Sequence, residues 1–370
     1  MKPRLRRIVR WTVIAVPLVA VAAFAVAYFT SDNACSEPKR PVRDPMKAIV
    51  YCDYGTSEVL RLEEVEKPVL AEGRVLVRVR AASVNPLDWH FMRGTPYLMR
   101  MGTGLRRPKD TRLGVDFAGT VEAVGSKVTR FKPGDSVFGG ADGAFGEYVS
   151  VREAGAIAKV PDGVSFEQAA AVPIAGLTAL QGLRRGGAKA GEKVLVNGAS
   201  GGVGTFAVQL AKVLGCNVTG VCSTRNLEMV RGLGADRTID YTKEDFTAGT
   251  ERYDLVLDNV GNRSLSECRR VLAPEGRYFL IGGGGPNASP VIGPFGRLLH
   301  TAIVKPFVSQ RLEFFIAKLD AKDLEEIAEL IRSGKVTPVI DRRYPLAELS
   351  AAIAYLEQGH ARGKVIITNE

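Results

Sequence analysis

The chain has 370 residues, 46% of them hydrophobic and 24% charged, and this composition indicates a folded protein with a sizeable core, in two domains. It carries a net charge of +10, but no basic stripe with interleaved aromatic residues occurs, so no nucleic-acid partner is expected. Five cysteines are scattered without C-x-x-C spacing, a pattern that does not indicate a disulfide framework.

The N-terminus combines basic residues with a long apolar run. Five Lys and Arg side chains precede residues 11–30, which contain no charged residue and would span ~30 Å as a helix, the thickness of a bilayer core. We therefore predict an N-terminal transmembrane helix in residues 1–30 that anchors the chain as a single-pass membrane protein. A cleaved signal segment is the alternative, and the side of the membrane that the body faces stays open. Residues 31–45, with three prolines, indicate a polar linker.

Residues 46–165 are rich in predicted strands. Residues 74–80 have valine at every second position, a period of two that is typical of a half-buried strand. A helix over residues 165–183 is predicted to lead into the next part of the chain. Further strands, separated by glycine-rich turns, are predicted at residues 115–124, 135–138 and 146–151.

A strand, a turn of small residues and a helix follow at residues 194–212. Such a junction directs several backbone N–H groups and the positive end of a helix dipole at one point, which suits a pyrophosphate. A second strand at residues 217–222 closes a β-α-β unit of the expected ~30 residues. The unit predicts a dinucleotide site whose phosphates are held by Ser200, Gly201, Gly202, Val203 and Gly204.

The end of the second strand indicates which dinucleotide is bound. An NAD site usually has Asp or Glu there to hold the ribose 2′-hydroxyl, whereas this chain has Ser223 and Arg225. Hydroxyl and guanidinium groups suit a 2′-phosphate, which a carboxylate would repel, so the sequence favours NADPH over NADH. The alternative is that Arg225 only opens a solvated helix.

Strands and helices keep alternating to about residue 305. Buried strands are predicted at residues 253–258 and 276–281, with a helix at 263–272 between them, and this order is typical of a doubly wound parallel sheet. The remaining residues predict two helices and a closing strand, at 321–333, 345–358 and 364–368.

Motifs along the whole body resemble those of one family. In chain order they occupy residues 83–88, 114–121, 131–135, 197–204, 234–241 and 363–365. They are similar to motifs of the zinc-independent medium-chain dehydrogenase/reductase superfamily, in the branch of quinone oxidoreductases, zeta-crystallin and the reticulon-interacting oxidoreductases. For the α/β fold, the resemblance implies a GroES-like β-rich catalytic domain at 46–165, a doubly wound Rossmann domain that binds NADP at 166–305, and a segment at 306–370 that completes the catalytic domain.

The resemblance also shows what is missing. Zinc enzymes of the superfamily hold their catalytic metal with Cys, a His-Glu pair and a further Cys, but the matching residues here are Asn85, Val115 with Asp116, and apolar residues near Val172. These residues do not supply a tetrahedral set of N and S ligands, so no metal is expected. The resemblance then implies hydride transfer from NADPH to an acceptor that is already electrophilic, a quinone or an α,β-unsaturated carbonyl.

The resemblance extends to residues of the cofactor site. Tyr241 is expected to join Ser223 and Arg225 at the 2′-phosphate. The nicotinamide and its ribose are expected to be approached from two strand ends, by Asn259, Val260, Ile281 and Gly282.

The catalytic candidates lie near residue 85. Asn85 is expected to face the reacting end of the cofactor, and His90 with Tyr97 to protonate or orient the reduced carbonyl oxygen. A packed His90 is the alternative, and Asp88 and Asp116 are interpreted as structural caps.

Two other functions stay open at this point. One is an NADP-linked alcohol or aldehyde dehydrogenase, against which the missing zinc ligands count. The other is a non-catalytic NADPH-binding adaptor that kept the fold and lost turnover. A homodimer is among the assemblies that the resemblance implies.

Overall fold

The computed structural model describes residues 25–26, 28–31, 33, 35, 41–282, 289–291, 293 and 295–369. The strands within them are β1 (Pro45–Val50), β2 (Arg61–Glu66), β3 (Arg74–Val84), β4 (Asp116–Val124), β5 (Ser136–Gly140), β6 (Tyr148–Arg152), β7 (Ile157–Lys159), β8 (Lys193–Asn197), β9 (Asn217–Cys222), β10 (Arg237–Asp240), β11 (Tyr253–Asp258), β12 (Leu272–Leu280), β13 (Arg311–Phe314), β14 (Ile340–Pro345) and β15 (Lys364–Thr368). The helices are α1 (Pro86–Arg93), α2 (Arg100–Thr103), α3 (Phe166–Ala170), α4 (Pro173–Gly186), α5 (Gly202–Val213), α6 (Leu227–Gly232), α7 (Leu265–Arg270), α8 (Phe295–Val304), α9 (Ala321–Arg332) and α10 (Leu349–Glu357).

The first domain is built on a seven-stranded sheet. Its strands are ordered β14-β15-β3-β4-β5-β7, and β6 pairs with β3 outside this path. β15 comes from the end of the chain and runs antiparallel to β3, so the C-terminal segment completes a sheet that begins near residue 74. This is the GroES-like arrangement that the sequence predicted.

The second domain is a six-stranded parallel sheet in the order β10-β9-β8-β11-β12-β13. The chain starts in the middle at β8, moves outward to β10, and then returns to β11 on the other side. Ligands of such sheets bind where the order reverses, beyond the carboxyl ends of the strands. In this domain that point lies between β8 and β11, whose last residues Asn197 and Asp258 are paired.

The helix predicted over residues 165–183 is in fact two helices. α3 ends at Ala170, and α4 begins at Pro173. Proline lacks the N–H that would continue a preceding helix, and its fixed φ suits the first turn of a new one. The apolar periodicity runs through both helices and therefore did not reveal the break.

The predicted N-terminal transmembrane helix is not supported. In the part of the chain that the structure describes, no helix is long and apolar enough to span a bilayer. Most of the predicted span, residues 1–24, lies outside the described residues. The transmembrane element is therefore wrong as a part of the described fold, and the membrane localisation that rested on it is withdrawn.

The expectation about cysteines also needs a correction. Cys35 and Cys52 form a disulfide, with their Cα atoms 5.8 Å apart. The buried Asn33 supports the bond, because its Nδ2 donates to the Cys52 carbonyl oxygen at 2.7 Å and its Oδ1 accepts from the Cys35 N–H. One covalent bond thus connects the residues that were predicted as a linker to the segment that follows β1.

Candidate active site

The glycine-rich turn connects β8 to α5. Gly198 has a φ of +79°, a left-handed conformation that favours glycine, and α5 begins at Gly202. A Cβ on Gly204 would lie 2.0 Å from the Gly198 carbonyl oxygen, so only glycine lets the helix approach the strand this closely. This contact explains why the position is glycine.

The turn fits a phosphate. The first N–H groups of an α-helix have no acceptor inside the helix, and the positive end of the helix dipole adds to their attraction for an anion. Around Gly201 the space is open, since the nearest atom to an added Cβ is the Gly198 carbonyl oxygen at 3.5 Å. Val203 is half-buried in the first turn of α5, beside the three glycines that the sequence singled out.

The end of β9 lies against this turn. Asn226, which is buried, donates from Nδ2 to the Ser200 hydroxyl at 3.0 Å and to the Ser223 hydroxyl at 3.1 Å. Asn226 therefore joins the two predicted halves of the phosphate site. Its Oδ1 is buried without a hydrogen-bond partner, which leaves an acceptor for a ligand hydroxyl or amide. Asn226 was not identified as a site residue from the sequence.

Arg225 is exposed and already engaged. Its Nη2 donates to the His360 carbonyl oxygen at 2.6 Å, so the guanidinium connects the Rossmann domain to the C-terminal segment. Tyr241 is 46% exposed and follows β10. Both side chains are exposed just after the carboxyl ends of β9 and β10, a region that we call the rim, and a 2′-phosphate held there would be solvated on one side.

An unpredicted carboxylate lies near this rim. Asp240 accepts from the hydroxyls of Thr224 and Thr242 and from the Thr242 N–H. These hydrogen bonds, the one from Thr224 foremost, lower the pKa of Asp240, so the group is a satisfied anion. Its donors come from the protein, which distinguishes it from a carboxylate free to hold a ribose hydroxyl.

The carboxyl ends of β11 and β12 complete the cofactor side. Asn259 donates from Nδ2 to the Asn197 carbonyl oxygen, and its Oδ1 is a second buried acceptor without a partner. A Cβ on Gly282 would lie 1.8 Å from the Asn259 carbonyl oxygen, which explains why this position is glycine. Val260 is 37% exposed and Ile281 half-buried, so both have surface available to a ring that enters the cleft.

The catalytic domain contains a buried polar network around Asn85. Asn85 donates from Nδ2 to Asp116 Oδ2 at 2.9 Å and accepts at Oδ1 from Lys364 Nζ at 2.6 Å. Asp116 also accepts from the Ser83 hydroxyl and from the Ile174 N–H. Lys364 is the residue of this network that the sequence reasoning missed, although a lysine opening the apolar run of β15 was a visible signal.

Burial shifts the pKa values of the charged members. It raises the pKa of Asp116 and lowers the pKa of Lys364, and the attraction between the two opposes both shifts. Burial likewise raises the pKa of Asp88 to about 7, although the Asn85 N–H donates to its carboxylate. Asp88 thus caps α1, as predicted.

His90 and Tyr97 lie on the loop side of α1. His90 stacks on Trp89, and its Nδ1 lies 2.7 Å from the Thr95 carbonyl oxygen, which can only accept, so Nδ1 carries a proton. Burial lowers the pKa of His90. Tyr97 is 49% exposed, and its N–H donates to the Pro290 carbonyl oxygen of the other domain. His90 is therefore packed against Trp89, and its Nε2 is still not used by the contact with Thr95.

The residues that match the zinc ligands of the superfamily do not form a zinc site here. Within the described residues, no group of three or more His, Cys, Asp or Glu side chains could hold a metal ion. The Lys364 ammonium, 3.5 Å from Asp116 Oδ2, lies beside the residues that match metal ligands in zinc relatives. A metal cation bound to Asp116 would be repelled by this charge.

Known families and proteins match both halves of the chain. The model described as "Alcohol dehydrogenase GroES-like domain" matches residues 71–162, and "Zinc-binding dehydrogenase" matches residues 233–367. The "2-methylene-furan-3-one reductase" of Solanum lycopersicum is 34% identical over 357 residues, covering 91% of this chain and 83% of that protein. The "NADPH-dependent alkenal/one oxidoreductase, chloroplastic" of Arabidopsis thaliana is 35% identical over 337 residues, covering 87% of this chain and 79% of that protein.

A solved structure is also similar to this chain. The quinone oxidoreductase from Coxiella burnetii is 32% identical, with a TM-score of 0.77, and the match covers 88% of this chain and all of that one. These matches extend over both domains described above. The chain therefore belongs to the medium-chain dehydrogenase/reductase superfamily, in its branch of quinone and alkenal/one oxidoreductases.

Proposed function

We propose that this chain is an NADPH-dependent reductase that transfers hydride to a quinone or to an α,β-unsaturated carbonyl without zinc. The observation that carries the proposal is the Lys364 ammonium beside Asn85 and Asp116, in a family whose zinc members use those positions for the metal. Without a Lewis acid to polarise an oxygen, the acceptor must itself be electrophilic. The names of the tomato and Arabidopsis relatives support this class of acceptor.

The chain offers a complete set of groups for NADPH. The pyrophosphate would lie against residues 200–204 at the start of α5, and the 2′-phosphate near Ser223, Arg225 and Tyr241. The nicotinamide half would lie at the ends of β11 and β12, where Asn259 Oδ1 lacks a partner. When bound there, the nicotinamide supplies the hydride, and the surrounding residues supply orientation and a dry pocket.

The catalytic-domain residues are proposed to orient the acceptor. Because Nδ1 of His90 is held by the Thr95 carbonyl oxygen, Nε2 of the neutral ring is an acceptor. Its lowered pKa favours that neutral form. We therefore assign His90 to the binding of a water or a substrate hydroxyl, while the Tyr97 hydroxyl or solvent delivers the proton that follows hydride transfer.

Steady-state oxidation of NADPH with a quinone, an enone and an aldehyde tests the proposal. We expect the quinone or the enone to accelerate oxidation and the aldehyde to have no effect. Acceleration by the aldehyde alone would support the alcohol or aldehyde dehydrogenase instead. Binding of NADPH without acceleration by any acceptor would support the non-catalytic adaptor.

A homodimer is part of the proposal. β13 ends the six-stranded sheet, and no neighbouring strand covers its outer edge among the residues described. An exposed sheet edge is a template for pairing with a second strand. Light scattering during gel filtration measures the assembly directly, and a monomer across the working concentration range would contradict it.

A further inference from the structure

Lys364 is the buried cation of the catalytic-domain network. It is 3% exposed, and its Nζ donates to Asn85 Oδ1 at 2.6 Å and to the Val84 carbonyl oxygen at 3.1 Å. Asp116 Oδ2 lies 3.5 Å from the same nitrogen. A lysine this deeply buried needs such partners, because an unpaired ammonium is costly away from water.

The network fixes the orientation of the Asn85 amide. Its Nδ2 donates to Asp116 Oδ2 at 2.9 Å, and its Oδ1 accepts from Lys364. Rotating the amide by half a turn would direct its NH2 group at the ammonium and its oxygen at the carboxylate. Only one of the two orientations is therefore satisfied, and Lys364 together with Asp116 selects it.

The same lysine touches the cofactor turn. A Cβ on Gly202 would lie 2.9 Å from Lys364 Cδ, so the lysine stem packs directly on the first residue of α5. The preceding residue, Gly363, donates its N–H to the Ser200 carbonyl oxygen at 2.8 Å. Residues 363 and 364 thus bridge the phosphate turn of one domain and Asn85 of the other.

We propose that Lys364 is a positioning residue that couples the cofactor turn to Asn85 and so fixes where the cofactor sits relative to the catalytic-domain wall. This inference rests on the proposed function for its kinetic consequence. The competing view is that Lys364 serves only to neutralise Asp116 inside the fold. The two views differ in what happens when both charges are removed together.

The first test is Lys364→Met, which keeps an unbranched stem over Gly202 and removes the ammonium. We expect kcat to fall about tenfold to a hundredfold, since a small misplacement of reacting groups has effects of this size. The Kd for NADPH, measured by fluorescence titration without an acceptor, should change by less than about threefold. A large loss of NADPH affinity with unchanged kcat would show a binding role and overturn the proposal.

The second test separates positioning from charge balance. Lys364→Met alone leaves Asp116 buried without its cation, whereas Lys364→Met with Asp116→Asn removes both charges. We expect the double variant to recover melting temperature and to stay slow in turnover. Recovery of turnover together with stability would mean that Lys364 only neutralises Asp116, and the proposal would fail.

A matched control is Gln209→Met. The Gln209 side chain also joins the two parts of the chain, through the Thr337 N–H and carbonyl oxygen, but it lies on a later turn of α5. We expect this variant to lose stability without a change in kcat. Lys364→Arg, which keeps the charge but cannot place it at the same point, should be folded and slow.

A readout without turnover completes the design. The Asn85 side-chain amide protons, followed by NMR in protein labelled with ¹⁵N-asparagine and assigned by their loss in Asn85→Ser, should exchange slowly with solvent in the wild-type chain. We expect faster exchange in Lys364→Met and in Lys364→Arg, and unchanged exchange would overturn the proposal. If the wild-type chain reduces no acceptor, the proposed function fails, but this exchange experiment still decides the role of Lys364.

Discussion

Arg225 lies on the surface beyond β9, and its guanidinium holds the His360 carbonyl oxygen. If the guanidinium also contacts a 2′-phosphate, Arg225→Ala should weaken the binding of NADPH about tenfold to a hundredfold more than the binding of NADH. This is the effect expected for the loss of a charge-assisted hydrogen bond. Losing the His360 contact affects both cofactors alike, so the ratio of the two Kd values isolates the phosphate. Fluorescence titration with each cofactor measures that ratio.

The control for Arg225 lies on the next helix. Arg231 is paired with Glu228 at the surface of α6, so Arg231→Ala removes a positive charge of the same kind without touching the cleft. We expect the ratio of its Kd values for NADPH and NADH to equal that of the wild-type chain. If Arg225→Ala lost the same affinity for both cofactors, Arg225 would not belong to the 2′-phosphate site.

Asp88 predicts a dependence of stability on pH. Its pKa is about 7 in the folded chain and about 3.9 when unfolded, because burial disfavours the carboxylate. A group whose pKa is raised on folding contributes stability that is fully present below its pKa in the unfolded chain. This contribution is lost as the pH rises through its folded pKa of about 7. Between about pH 5 and pH 8, the melting temperature of the wild-type chain should therefore fall by about 3 °C more than that of Asp88→Asn.

Thermal unfolding at several pH values, with both proteins in the same buffers, measures this difference. Titrating groups that do not interact with Asp88 contribute equally to both curves, so the gap between the curves reports Asp88 together with its charged neighbours Asp116 and Lys364. Parallel curves would show that Asp88 does not titrate in this range.

At the level of elements, the junction of β8 and α5 depends on one close contact. In Gly204→Ala the new Cβ would lie 2.0 Å from the Gly198 carbonyl oxygen and 2.7 Å from the Ala199 Cα, both backbone atoms that cannot turn aside. We expect a loss of about 1–3 kcal/mol in the free energy of unfolding, the usual cost of overpacking. NADPH affinity should fall with it, because α5 must shift away from the phosphate. Denaturant unfolding and fluorescence titration measure the two effects.

Gly232→Ala is the matched control at the end of α6. No atom lies within 4 Å of its added Cβ, and alanine favours a helix by about 0.5–1 kcal/mol over glycine. Stability should therefore stay equal or rise slightly, and cofactor affinity should not change. A similar loss in both variants would mean that the close approach at Gly204 is unimportant.

Elements set by local pattern were predictable from the sequence. The strand at residues 217–222 and the strand at 364–368 lie where their apolar runs placed them. The break between α3 and α4 was missed, since the apolar pattern continues across it and only Pro173 marks the boundary. Patterns show that an element is present more readily than they show where it ends.

At the level of the whole molecule, the missed residues are those whose partners are distant in sequence. Lys364 contacts Asn85 across 279 residues, and Asn226 reaches Ser200 across 26. A single sequence indicates such partners only when a motif is already known. The glycine turn was such a motif and led to the prediction of a phosphate site, whereas the motifs at 83–88 and 363–365 did not reveal the network that joins Asn85 to Lys364.

The Cys35–Cys52 disulfide gives a prediction for the whole chain. Closing a segment of 17 residues restricts the unfolded state and stabilises the fold by about 3 kcal/mol. Reductant should therefore lower the melting temperature of the wild-type chain and leave that of Cys35→Ser unchanged. The unfolded protein should show three thiols before reduction, from cysteines 216, 222 and 268, which lie outside the disulfide, and five after it. Five thiols before reduction would contradict the bond, and an equal response of both proteins to reductant would assign the stability to another group.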